Sequence, residues 1–247
     1  NFRRPICFTS RYDDAGFGPY VRQEGLIYRV IPMQVTSRAT AMDIDKTKNL
    51  LMNTFRTGNA NVPGVYFDEE NRRHILGNRT TYAMAAINLV GEGKMQEAKA
   101  ILDKAESLIY PVNMPYAMVS RDNQHNRMSM IYLEAAYRAG HTSLIGKLKS
   151  ALVKDLNDQI KYFEYLRDSK PDFYTADLMM EENASRDMLN RITDLEKDAM
   201  IYISPAFEAV YGLTRDDLLR GSHLRRWVDL VHPEDRRLAI DHLRRVR

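Results

Sequence analysis

From Asp43 to Leu195 the apolar residues recur at helical spacing, and glycines interrupt the pattern where the chain must reverse. Ile44, Thr47, Leu51 and Phe55 fall on one face of a first helix, with Asp43 as its N-cap and Gly58 as its stop. Asp68-Glu69-Glu70 opens a second helix with acids at its positive end, and Ile75, Tyr82, Ala86 and Leu89 form its stripe. Gly91-Glu92-Gly93 ends it. The next helix turns Ala98, Ile101, Leu102 and Ala105 inward and stops before Pro111. The same layout returns at Ala135-Ala136-Tyr137-Arg138-Ala139-Gly140, followed by a long helix from Ser143 with Ile145, Leu148, Leu152, Leu156, Ile160 and Phe163 inward. Pro171 breaks that helix. Asp172 is expected to open a last one with Leu178, Leu189, Ile192 and Leu195.

These spacings predict about six helices. Ala86, Leu89, Ala98, Ala105 and Pro111 stand close to tetratricopeptide spacing, in which small side chains let antiparallel helices approach and a glycine permits the turn. Gly93 and Gly140 are 47 residues apart, longer than the usual repeat, and the excess falls between Pro111 and Asn126. Two repeats are fewer than such arrays normally need, so the flanking segments must act as caps. Ahead of the helices, Pro5-Ile6-Cys7-Phe8-Thr9 and Leu26-Ile27-Tyr28-Arg29-Val30-Ile31 read as two strands of a small ribbon, separated by a loop from Arg11 to Pro19. The expected fold is mainly α: a ribbon and loop over 1–40 packing on a helical, repeat-like domain over 41–197.

Composition breaks near the end of that domain. Lysine occurs 11 times up to Lys197 and asparagine 14 times up to Asn190, and neither occurs afterwards. Nine arginines follow, from Arg215 to Arg247. The break separates 198–247 as a segment of different character. Net charge +3 is too small to argue for nucleic acid, and no apolar run is long enough to span a bilayer. The single cysteine, Cys7, excludes an internal disulfide and a cysteine-based zinc cluster. A chain that opens on Asn1 without a leader is expected of a piece of something longer.

Few residues suggest chemistry. Asp43-Ile44-Asp45-Lys46-Thr47 matches the DxDxT signature of haloacid-dehalogenase phosphatases, but no strand precedes it and no βα pattern follows, so a helix N-cap is the simpler reading. Gly140-His141-Thr142-Ser143-Leu144-Ile145-Gly146-Lys147 has one residue too many between its glycines for a phosphate loop, and Leu148 replaces the Mg²⁺-holding hydroxyl. The six histidines have no metal-ligand spacing. Asn71, Arg72, Arg73, Asn78, Arg79 and Tyr82 gather bases and amides on about two helical turns. They are either a solvated face or an interaction surface for an anion or glycan. No catalytic residue, cofactor or metal is expected.

Two resemblances add to this reading. Arg4-Pro5-Ile6-Cys7-Phe8, Glu24 through Pro32, Met42 through Thr47, Val65 through Arg73 and Glu92-Gly93-Lys94 make residues 1–195 similar to the soluble C-terminal region of bacterial multi-pass membrane proteins of the protein O-mannosyltransferase-like type. Thr57 departs from that pattern, which has an aromatic before the glycine. The resemblance implies an extracytoplasmic, membrane-associated accessory domain of a glycosyltransferase-like protein. Its partners would be the parent's membrane portion and a glycan or acceptor protein, with the catalytic acids outside this segment. Residues 199–247 resemble the first half of a PAS sensory domain, on Ile201 through Gly212, Leu218-Leu219, Trp227 and Val231 through Arg236. That implies an incomplete α/β segment, expected to bind no cofactor and to be poorly ordered or merely helical.

Overall fold

The computed structural model describes residues 4–10, 15–37 and 40–199. The chain divides into two units, Asn1–Ala199 and Met200–Arg247, and every described element belongs to the first. That unit is mainly α, six helices preceded by a small three-stranded sheet. The expectations for the tail's order and cofactor lie outside the described residues.

The sheet is antiparallel, in the order β1 (Cys7–Phe8), β3 (Ile27–Val30), β2 (Val21–Glu24). Two of the three match the expected ribbon. β2 was not foreseen, because Val21-Arg22-Gln23-Glu24 buries only its ends and reads as polar. Gly25 turns the chain between β2 and β3 at φ +67°, and a Cβ there would meet Phe55 Cζ at 2.7 Å. Only glycine satisfies both demands. The segment before α1 (Ile44–Asn53) runs beside β2: Gln23 N donates to Ala41 O and Asp43 N to Gln23 O, both at 2.8 Å. The Asp43 side chain then accepts from Lys46 N and caps the helix, as expected. α1 stops at Asn53, not at Gly58. Phe55 leaves the helix to pack by Gly25, and Arg56 donates to the carbonyls of Asn53, Thr54 and Phe55. Thr57 Oγ1 donates to Leu108 O at 2.7 Å, fixing the following loop to a later helix end.

α2 (Glu69–Gly91) and α3 (Met95–Leu108) form one hairpin, and α4 (Gln124–Ala139) and α5 (Thr142–Ser169) the next. Both reversals use a left-handed glycine: Gly93 at φ +77° and Gly140 at φ +66°. In each, the residue after the glycine donates back into the helix, Lys94 N to Leu89 O and His141 N to Ala136 O, satisfying carbonyls the helix end leaves open. α2 packs on α3 and α4, and α4 also meets α3, α5 and α6 (Ala176–Ala199). Close approach depends on small side chains: Ala83, Ala86, Ala98, Ala105, Ala135, Ala136 and Ala139 are all buried. Leu51, Leu89, Leu102, Leu133, Leu148, Leu152 and Leu156 fill the continuous core between them. A smaller cluster of Ile75, Leu76, Ile109 and Met114 lies under the loops.

The last helix starts at Ala176, not at Asp172. Pro171–Phe173 forms a single 3₁₀ turn, and Thr175 becomes the cap, its Oγ1 accepting from Leu178 N. A buried carboxylate ties this reversal together. Glu182 accepts from Tyr174 Oη at 2.7 Å, from Arg186 Nη2 at 2.6 Å and from Arg167 Nη1 at 3.2 Å. Burial alone would raise its pKa, but the hydroxyl and the two guanidiniums outweigh burial and hold it below the ordinary value.

Candidate functional site

The six residues read as one candidate surface do not share a face. Asn71 Nδ2 donates to Asp68 Oδ1 in the first turn of α2, and Arg73 pairs with Glu70 at 2.6 Å. Arg72 and Asn78 are half-buried. Arg79 and Tyr82 belong to the interior, each 1% exposed. Tyr82 Oη donates to Leu51 O at 2.9 Å, and burial pushes its phenol up to about 12. The sequence held the signal for this. Arg79 stands four residues after Ile75 and three before Tyr82, on the apolar stripe.

A buried guanidinium must find acceptors, and those of Arg79 come from the α3–α4 loop. Its Nη2 donates to Met114 O at 2.8 Å and its Nη1 to Pro115 O at 3.0 Å. The rings of Tyr116 and Tyr132 lie with centroids 5.4 and 5.8 Å from the guanidinium carbon. Both phenols donate to Glu106, which faces the cation across them. Burial pulls the Arg79 pKa below its ordinary value, while Tyr132, Glu106 and Tyr116 work in the opposite sense. His125 completes the latch, with Nε2 2.9 Å from Pro115 O. Burial is the main cause that brings its imidazole down to about 4; the carbonyl contact opposes it and the Arg79 charge adds to it. Neutral His125 therefore donates from Nε2 to that carbonyl near neutral pH. Asn126 Oδ1 accepts from Met118 N, and Ser120 Oγ accepts from His125 N. This network holds a loop in place and leaves the guanidinium no open side for a ligand.

The other motifs are also committed to the fold. Asp43 caps α1 and pairs with Arg22 at 2.8 Å, while Asp45 points outward with Lys94 Nζ at 3.8 Å. Gly140 is a helix-ending glycine, and His141 caps α5 through Nδ1, which accepts from Leu144 N. Ser185 is buried against Asn123 and Gln159. Among the described residues no three His, Cys, Asp or Glu gather to hold a metal ion, and no helix is long and apolar enough to cross a membrane.

A shallow depression of about 490 Å³ lies between α4 and α6. Met130, Met188 and Ala184 line its apolar part, and Met180, 61% exposed, stands at one end. Arg127, Asn183, Asp187 and Arg191 supply the polar part. No local pattern marks it, because the two walls, around Arg127 and Asn183, lie more than 50 positions apart in the chain and neither is unusual alone.

A family model described as PAS fold matches residues 200–247, immediately after the helical unit. No curated protein and no solved structure matches the chain.

Proposed function

We propose that this chain is a non-catalytic partner-binding module, a unit of helical hairpins that leads into a PAS-type sensory segment. The observation that carries it is the PAS match beginning where the helical unit ends, at residue 200. The hairpin architecture supports the binding half. Its side chains of potential chemistry, Arg79, Asp43 and His141, are spent on latching and capping, while the depression between α4 and α6 combines an apolar lining with arginines.

A narrower version follows from the resemblance of residues 1–195. In it the unit is a tetratricopeptide-like, extracytoplasmic accessory domain of a membrane glycosyltransferase-like protein, with the membrane portion, a glycan or an acceptor protein as partner. The sequence of the surrounding gene separates the two versions. Closing PAS strands and a kinase or cyclase output downstream support the sensory module. A series of membrane spans upstream supports the glycosyltransferase version. The non-catalytic reading has its own test. In a Mg²⁺-supplemented phosphatase assay the chain releases no phosphate above buffer. Turnover that disappears in Asp43→Asn would overturn the reading.

A further inference from the structure

We infer that the α4/α6 depression binds a short acidic peptide segment, seating an unbranched apolar side chain between the helices and a neighbouring carboxylate between Arg127 and Arg191. The inference rests on the partner-binding reading above and names the partner's chemistry. Its volume of about 490 Å³ lies in the range of side-chain and small-ligand pockets. Methionine dominates the apolar lining, and its flexible, polarizable thioether adapts to linear side chains of differing length.

Charge selects the occupant. Two guanidiniums and one carboxylate, Asp187, line the depression, so its lining is net positive. Arg127 donates through Nε to Asp122 O at 3.0 Å, and its two terminal nitrogens make no hydrogen bond among the described residues. Arg191 reaches only 3.9 Å from Glu134 Oε2, while the other oxygen of Glu134 is held by Arg138 at 2.6 Å. Both guanidiniums thus retain donors in the paired geometry that suits a carboxylate. Asn123 Nδ2 donates to Ser185 Oγ at one end of the helix pair, and Arg191 approaches Glu134 towards the other, so α4 and α6 run in the same sense and place the two arginines along one line. An extended acidic segment satisfies that line, whereas a basic one meets repulsion from both arginines.

Panning a random peptide library displayed on phage against the intact chain tests this. The selected peptides are expected to carry Asp or Glu beside Met, and to bind in fluorescence anisotropy with salt-sensitive affinity. Reversing both arginines, Arg127→Glu with Arg191→Glu, is expected to weaken them roughly tenfold, the scale of two exposed charge pairs. Filling the depression with Ala184→Trp is expected to weaken them independently of charge. Circular dichroism confirms that each variant stays helical. Selected peptides without acids, or binding unchanged in both variants, overturn the inference while leaving the partner-binding reading intact. Failure of any peptide to enrich overturns both. Light scattering that shows the chain dimerising, and the charge reversal dissolving the dimer, assigns the depression to a second copy and also overturns the inference.

Discussion

Arg79 and Met114 lie 35 positions apart in the chain, yet the guanidinium of one donates to the carbonyl of the other at 2.8 Å in the interior. That bond turns the long α3–α4 connection from a linker into a fixed part of the unit. Arg79→Met removes the donors, leaving two loop carbonyls without their partner and the Tyr116 and Tyr132 rings without their cation. It is expected to destabilise the chain by about 3 kcal/mol in urea unfolding. Arg79→Lys recovers little of this, because a single ammonium cannot reproduce the fork or the stacking against Tyr116 and Tyr132. A loss below about 0.5 kcal/mol in both variants would show that the loop is held by other means.

The pH dependence follows from His125. Its folded-state pKa is depressed, to about 4 from an ordinary 6.5. Between those values the unfolded chain binds a proton that the folded chain refuses. The stabilising contribution is complete above pH 6.5 and is lost as pH falls toward 4, at no more than about 1.4 kcal/mol per unit. Denaturant midpoints of His125→Gln, set against the unsubstituted chain, should show a gap that narrows over this interval. Parallel curves would contradict the assignment.

Glycine positions separate two kinds of cost. Gly93 needs only its positive φ, since a Cβ there meets nothing within 4 Å. Gly93→Ala should cost about 1 kcal/mol. Gly25 needs its positive φ and also the space taken by Phe55, so Gly25→Ala should cost more, about 2 kcal/mol or above. Thermal unfolding of the two variants side by side reads the difference. Equal losses would mean that Phe55 moves aside freely.

Ser129 Oγ is buried and has no hydrogen-bond partner among the described residues. Removing it relieves an unsatisfied polar atom at little cost in packing. Ser129→Ala is expected to leave stability unchanged or raise it by about 1 kcal/mol in equilibrium unfolding. A clear loss would show that the hydroxyl has a partner.

The helical part of the fold was legible because its signals are local and redundant. Asp43 caps where the spacing placed it, the second helix opens at the Asp68-Glu69-Glu70 run, and Gly93 and Gly140 reverse the chain where the periodicity broke. Strand β2 was not legible, because Glu24 hides a charge where an apolar residue is expected. Only the tertiary neighbours Lys46, Arg22 and Arg29 make that burial tolerable, outweighing the cost of desolvation and holding the carboxyl below its ordinary pKa. Arg79 was misread for the related reason that charge suggested solvent, although its place on the stripe of Ile75, Tyr82 and Ala86 said otherwise. The depression between α4 and α6 exists only once the two helices are packed, and no local pattern encodes it.

Amide hydrogen exchange of the intact chain, with and without a peptide selected by panning, tests most directly whether the helical unit is a receptor for acidic partners. Added protection is expected on the segments of α4 and α6 that carry Arg127, Met130, Ala184 and Arg191, with the loops beyond Leu108 unchanged. Protection gathered on those loops, or none on either helix, would contradict it.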